Sequence, residues 1–299
     1  MDPPSTSQQT VLTTKQRSEC FEARLVLHAA GIAADANFHD GVWTLLVEHD
    51  VYPVATAELA AYRAENVASP TRELTPFPVH GGAAVACWAY AATLILVAIL
   101  AAESAFGYAW DQAGRMQAGK VMAGEGWRVV TALTLHLDLG HILGNLLFGT
   151  VFGLLAGRIL GGGVAWLGIV IAGALGNWMN AWAQAGTHTS IGASTAVFGA
   201  LGMIVAHALC RWALTQEKPI RRWSPLVAGV LLFAFTGVGG ENTDVLAHVT
   251  GFLAGLVIGW SGSGLPHRWL ARMDVQIVAG LAAVLLVVSA WTIALAVAG

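Results

Sequence analysis

The sequence predicts an all-α polytopic membrane domain of seven spans, preceded by a small soluble α+β unit. Three observations predict this. Only 11% of the 299 residues are charged and 56% are hydrophobic, whereas a soluble domain carries about 25% charged residues. The charge is also unevenly placed: residues 1–80 hold ten of the 18 acidic and five of the 15 basic side chains. From Gly81 onward, apolar runs of near-membrane length dominate. The net charge of −3 leaves no basic footprint for nucleic acid. Cys20, Cys87 and Cys210 are too far apart for a disulfide framework or a metal motif. The opening MDPPSTSQQT has neither a basic n-region nor an apolar h-region, so no cleavable signal peptide is expected.

Within residues 1–80, the stretch 11–67 reads as the α+β unit. Phe21, Leu25 and Val26 lie near helical spacing between Glu19 and Ala30, and Gly31 ends that helix. Ile32–Phe38 and Val42–Val47 read as strands joined through Asp40-Gly41, a hairpin signal. Thr56–Asn66 reads as a second helix, and Ser69–Pro78, with its three prolines, as the linker to the membrane domain at 81–299. No catalytic constellation is visible here, so regulation or partner binding is the expectation for this part.

A helix needs about 20 apolar residues to cross the hydrocarbon core. The candidates are 83–102, 140–157, 163–183, 192–210, 224–238, 244–261 and 276–298. The fifth is short and leaves through Gly237-Val238-Gly239-Gly240. Residues 103–139 form a long loop carrying Trp110 and Trp127, as at a membrane interface. With the N-terminus cytoplasmic, the inner loops carry Arg158, Arg211, Lys218, Arg221, Arg222, Arg268 and Arg272. The outer loops then carry only Arg115, Lys120 and Arg128, so the positive-inside bias favours this orientation.

Polar groups inside a membrane are costly and mark functional sites. His141 and Asn145 open the second span, Ser194 the fourth, and His248 lies one turn into the sixth. These three spans run in the same direction, so a rise of 1.5 Å per residue brings the four side chains to one layer, roughly 5–10 Å below the outer surface. A serine hydroxyl is a weak nucleophile until a base removes its proton, and an imidazole does this and then protonates the leaving amine. Acyl transfer also needs donors aimed at the oxyanion, which His141, Asn145 and the Ser194 amide supply. Asp244, one turn before His248, is the sole carboxylate near that depth, which favours a Ser–His dyad over a triad. Gly192 allows close approach beside Ser194, and Phe198, one turn further on, can lie beneath an imidazole. Gly251, Gly255 and Gly259 form a small-xxx-small ladder after His248 that brings helix backbones together. Asn177 and Asn180 are expected to hydrogen-bond between helices, and His188 to have a minor role near the site.

Four motifs now stand in order. Trp127-Arg128 lies in the long loop; His136, His141 and Asn145 fit HxxxxHxxxN; Gly192-Ala193-Ser194 fits the start of GxSG; Ala247-His248 with Gly251 fits AHxxG. Together, over about 127–255, they resemble the rhomboid family of intramembrane serine proteases. The resemblance implies a six-helix bundle plus a seventh C-terminal helix, with Ser194 as nucleophile and His248 as general base and acid. It implies an oxyanion hole of His141, Asn145 and the Ser194 amide. His136, Trp127 and Arg128 become structural residues, and the fifth helix with residues 238–243 becomes the gate. Thr195 stands where the family usually has Gly, so an inactive rhomboid-like protein that binds membrane clients is the alternative.

The expected partners are transmembrane protein substrates and the lipid bilayer, with a bacterial inner membrane as the location. No cofactor or metal is expected: His136 and His141 are five apart, off the i, i+4 spacing of a helical metal pair, and no Cys or carboxylate joins them. Nor is there an inverted-repeat signature of a transporter.

Overall fold

The computed structural model describes residues 7–66, 79–213, 223, 224, 226–232 and 244–299, with side chains omitted at 211–213. Contacts divide the chain into two compact units, 1–75 and 76–299.

The first unit is a three-stranded antiparallel sheet, order β1-β3-β2, with two helices. Its elements are β1 (Gln8–Thr14), α1 (Arg17–Ala29), β2 (Asp35–His39), β3 (Val42–Glu48) and α2 (Tyr52–Glu65). The Asp40-Gly41 turn pairs His39 with Val42, and both turn residues have positive φ (48° and 78°), as a two-residue type I′ hairpin requires. Cys20, Ala23 and Leu27 line one face of α1 and meet Leu45 and Val47 of β3 and Ala55 and Leu59 of α2. The sequence reading missed β1, because QQTVLTT carries no clean alternation and a bulge shifts its register between Thr10 and Leu12. It also began the first strand three residues early and the second helix four residues late. Pro53 sits in the first turn of α2, a position proline tolerates.

The second unit is helical. Its long helices are α3 (Ala83–Ala102), α4 (Leu139–Leu160), α5 (Gly162–Ala183), α6 (Ser194–Ala213), α7 (Val245–Ser263) and α8 (Met273–Ala298). Five of them (α3, α4, α5, α7 and α8) are long and apolar enough to cross a membrane, and α6 carries a shorter apolar stretch, Ser194–Cys210. The chain is therefore a multi-pass membrane protein. Of the predicted fifth span, residues 224 and 226–232 are described and helical. Its remainder, the Gly237–Gly240 exit and the linker at Ser69–Pro78 lie outside the described residues.

Helix α5 is central: 56% of its most apolar stretch is buried within the protein, against 22% for α3 and for α8. Helices α6 and α7 pack closest. A Cβ on Gly251 would lie 2.2 Å from the Thr195 carbonyl oxygen, one on Gly255 2.0 Å from that of Gly199, and one on Gly259 2.5 Å from Met203 Cα. From the other side, a Cβ on Gly202 would lie 2.2 Å from the Phe252 oxygen. The predicted ladder thus meets α6 turn by turn, 251/255/259 against 195/199/203, and fixes the register of the two helices.

The long loop is not irregular. It holds short helical turns at Trp110–Gly114, Ala118–Met122 and Arg128–Thr131, and a strand β4 (Met116–Gln117) paired with β5 (Thr189–Ser190), just before α6. Arg128, 5% exposed, pairs with Glu125 and donates from Nη1 to the carbonyls of Gln112 (2.9 Å) and Arg115 (2.8 Å). Trp127 packs with Trp110, Leu135 and Trp291. Helix α8 reaches into the same segment: Trp291 Nε1 donates to Thr134 Oγ1 at 2.9 Å, and its ring lies 4.8 Å from that of Trp110.

Candidate active site

Ser194 is the first residue of α6 and is half-buried. Before it, Gly192 takes φ +129° and its N–H donates to the Ala132 carbonyl at 2.9 Å, so the loop wall positions the serine turn. The positive φ favours glycine, and so does the space. A Cβ on Gly192 would fall 2.6 Å from both Cε1 and Nε2 of His141 and 3.7 Å from Ser194 Oγ. The His141 ring edge and the serine hydroxyl therefore face the same small volume.

The orientation of His141 follows from its own bonds. Asp138 caps α4 by accepting the His141 N–H at 2.8 Å. Nδ1 of His141 accepts the Leu137 N–H at 3.4 Å, which assigns the ring proton to Nε2, the atom next to Gly192. Asn145, 6% exposed, lies one turn further along α4, and its Nδ2 donates to the His141 carbonyl at 3.0 Å. Its amide is thus held close to His141, bonded along its own helix.

His248, 7% exposed, lies one turn into α7. Its ring sits 4.4 Å from that of Phe198, tilted by 34°. Phe198 is four residues after Ser194, hence on the same face of α6. The stack therefore sets His248 against the face of α6 that Ser194 heads, and the Gly251–Thr195 contact, three residues on, sets the helix separation.

Thr195 is 2% exposed. Its Cγ2 fills a notch left by two glycines: a Cβ would come within 2.7 Å of it from Gly176 and 2.9 Å from Gly251. The methyl beyond the usual glycine is thus taken up between α5, α6 and α7.

His136 packs edge-on to His141 with ring centroids 5.1 Å apart. Both its ring nitrogens are buried without a hydrogen-bond partner among the described residues. Burial first, and then neighbouring His141, push its pKa down to about 4; the Thr134 carbonyl, too poorly placed for a hydrogen bond, offsets this only in part. His136 is accordingly neutral at pH 7 and part of the wall behind His141.

Two features were only half legible in sequence. Asn177 Nδ2 donates to the Val129 carbonyl at 2.9 Å, so its bond runs to the short helical turn Arg128–Thr131 in the long loop. Asn180 Nδ2 donates to Asp244 Oδ2 at 2.7 Å, and His188 Nε2 meets the same oxygen at 2.8 Å. The cluster joins residues 56 and 64 apart in sequence, with no local pattern to announce it. Among the described residues no group of three His, Cys, Asp or Glu could hold a metal ion. A cavity of about 340 Å³ at the opposite end of the bundle, lined by His80, Arg158, His207 and His267, is remote from Ser194.

Residues 123–264 match the Rhomboid domain family. The chain belongs to the rhomboid family through this segment. It is 29% identical over 170 residues to Rhomboid-like protease 2 of Toxoplasma gondii, covering 55% of this chain and 59% of that protein. It is 31% identical over 165 residues to RHOMBOID-like protein 4 of Arabidopsis thaliana (54% and 41%) and 30% identical over 136 residues to Rhomboid-like protease 3 of T. gondii (44% and 50%). The chain thus spans about half the length of these relatives. Rhomboids are in general intramembrane serine proteases acting on transmembrane substrates; the six long helices among the described residues correspond to the first four, the sixth and the seventh of the spans expected from sequence.

Proposed function

We propose that this rhomboid is an intramembrane serine endopeptidase that cleaves transmembrane protein substrates with a Ser194–His248 dyad. The observation that carries the proposal is the stacking of His248 on Phe198, one turn below Ser194, with His141 Nε2 across Gly192 from the same hydroxyl.

The chemistry follows from these positions. His248 takes the Oγ proton as Ser194 attacks the scissile carbonyl carbon. The resulting oxyanion receives the His141 Nε2–H and the Ser194 N–H, and Asn145 joins by turning its amide from the His141 carbonyl. The tetrahedral adduct collapses, His248 gives its proton to the leaving amine, and an acyl-enzyme remains. Water, activated by the same imidazole, then releases the acid. Stacking on Phe198 restrains the imidazole ring against α6. A substrate helix must unwind locally, because helical carbonyls are occupied by i→i−4 bonds.

The seating of Thr195 supports an active enzyme over a binding-only rhomboid, since its extra methyl lies in the Gly176–Gly251 notch. The reading places the chain in a bacterial inner membrane with the N-terminus and the 1–80 domain on the cytoplasmic side, that domain serving regulation or partner binding; a reporter fused to Gly299 should then signal from outside.

The test is labelling of the purified chain by a fluorophosphonate probe, with cleavage of a single-span substrate in parallel. Wild type should label and cleave; Ser194→Ala and His248→Ala should do neither. Cleavage retained in Ser194→Ala would refute the nucleophile assignment.

A further inference from the structure

Asp244 is the N-cap of α7, and its Oδ1 accepts the Ala247 N–H at 3.1 Å, as an ordinary cap does. The second oxygen of such a cap usually faces water. Here Oδ2 accepts from Asn180 Nδ2 at 2.7 Å and from His188 Nε2 at 2.8 Å. Asn180 belongs to the last turn of α5 and is fully buried. His188 lies in the short segment that runs through β5 into Ser194. The carboxylate is 16% exposed and the imidazole 25%. Three N–H donors converging on one carboxylate are the pattern of an ionised acid, and an ionised acid only accepts, so Nε2 of His188 carries a proton.

One side chain thus joins three pieces of backbone. The Asp244 carbonyl also accepts the His248 N–H at 3.2 Å, so whatever holds Asp244 holds the first turn of α7. We infer that Asp244, through His188 and Asn180, latches the N-terminus of α7 to the segment leading into Ser194, and so is a positioning residue for the Ser194–His248 pair. The inference deepens the proposed function and rests on it for its catalytic consequence. The physical need is plain. The glycine ladder fixes the separation and register of α6 and α7 from Gly251 onward, but His248 lies N-terminal to that ladder. The Phe198 stack holds the ring, and an anchor on the backbone of the first turn of α7 adds to it by limiting fraying there, and so changes in the depth and tilt of the imidazole.

The experiment uses the full chain in lipid nanodiscs, as wild type, Asp244→Asn, His188→Ala and His188→Gln. Two readouts are taken: amide hydrogen exchange over residues 245–250, and the rate of fluorophosphonate labelling with kcat and KM on a single-span substrate. Asp244→Asn turns one acceptor oxygen into a donor facing two donors, and exchange over 245–250 should quicken at least about tenfold. The decisive variant is His188→Ala, which leaves the Ala247 cap intact. If Asp244 were only a cap, exchange in α7 would not change; if it is a latch, exchange quickens and kcat falls about tenfold while KM moves little. His188→Gln, which restores an N–H donor, should recover most of both. Wild-type exchange and kcat in His188→Ala would overturn the latch. So would exchange that quickens equally throughout α6 and α7, the mark of general destabilisation. Failure of the wild type to label would instead overturn the proposed protease reading, and the exchange readout would still decide the latch.

Discussion

Replacing Gly255 by alanine adds one methyl at the tightest point between α6 and α7. An ideal Cβ there lies 2.0 Å from the Gly199 oxygen and 2.7 Å from its carbonyl carbon. Ordinary non-bonded contacts lie near 3.5 Å, so the backbones must part by more than about 1 Å at that level. Neither helix has slack beside it, because Gly202 is already against Phe252 and Gly259 against Met203. Overpacking of this kind costs about 1–3 kcal/mol. The same movement shifts the helix bearing His248 relative to Ser194, and a displacement of about 1 Å can cost a hundredfold in rate. Thermal unfolding in detergent and fluorophosphonate labelling should both register the change. Gly280→Ala in α8 is the control, since its Cβ would meet only Gly163 Cα at an ordinary 3.7 Å; it should leave both unchanged. A Gly255→Ala protein with wild-type melting and labelling would refute the claim that this contact sets the geometry of the site.

Three further expectations follow from named contacts. Thr195→Gly empties the Gly176–Gly251 notch and should lower stability by about 1–3 kcal/mol in thermal melts, with labelling within a few-fold of wild type; a tenfold gain in labelling would show that Thr195 obstructs the oxyanion site. His136 has a folded pKa of about 4, below the unfolded value near 6.5. Its contribution to stability is therefore complete above about pH 6.5 and is lost as pH falls toward 4, by about 3 kcal/mol. Melts from pH 7 to 4.5 should show this slope, and His136→Phe should flatten it. Trp291→Phe removes the donor to Thr134 Oγ1 and should cost about 1–2 kcal/mol, with faster hydrogen exchange in the 103–138 segment; unchanged exchange there would mean that α8 does not brace it.

Sequence alone carried the membrane unit a long way, for reasons specific to membranes. A spanning helix must be apolar over a fixed length, so all five long apolar helices fall within three residues of the predicted spans at either end. The few polar residues left inside had to be tolerated for a reason, which singled out His141, Asn145, Ser194 and His248. The N-terminal unit is less legible in the sequence. Its strands are short, half-exposed and partly bulged, and β1, whose polar residues gave no period, was invisible until β3 paired with it.

By itself, then, the sequence determined which segments are long and apolar enough to cross a membrane and in what order, and it set the expectation that His141, Asn145, Ser194 and His248 share a depth. These are one-dimensional consequences of helix rise and lipid solvation. Tertiary structure alone decided azimuth and anchoring: that His248 lies on Phe198, that Gly192 leaves room for the His141 edge, and that the Thr195 methyl has a notch waiting. It also decided that Asp244 reaches Asn180 and His188. Depth along a helix follows from residue count, but the direction a side chain faces depends on how neighbouring helices are rotated and spaced. That rotation is set by contacts between glycines and carbonyls far apart in the chain.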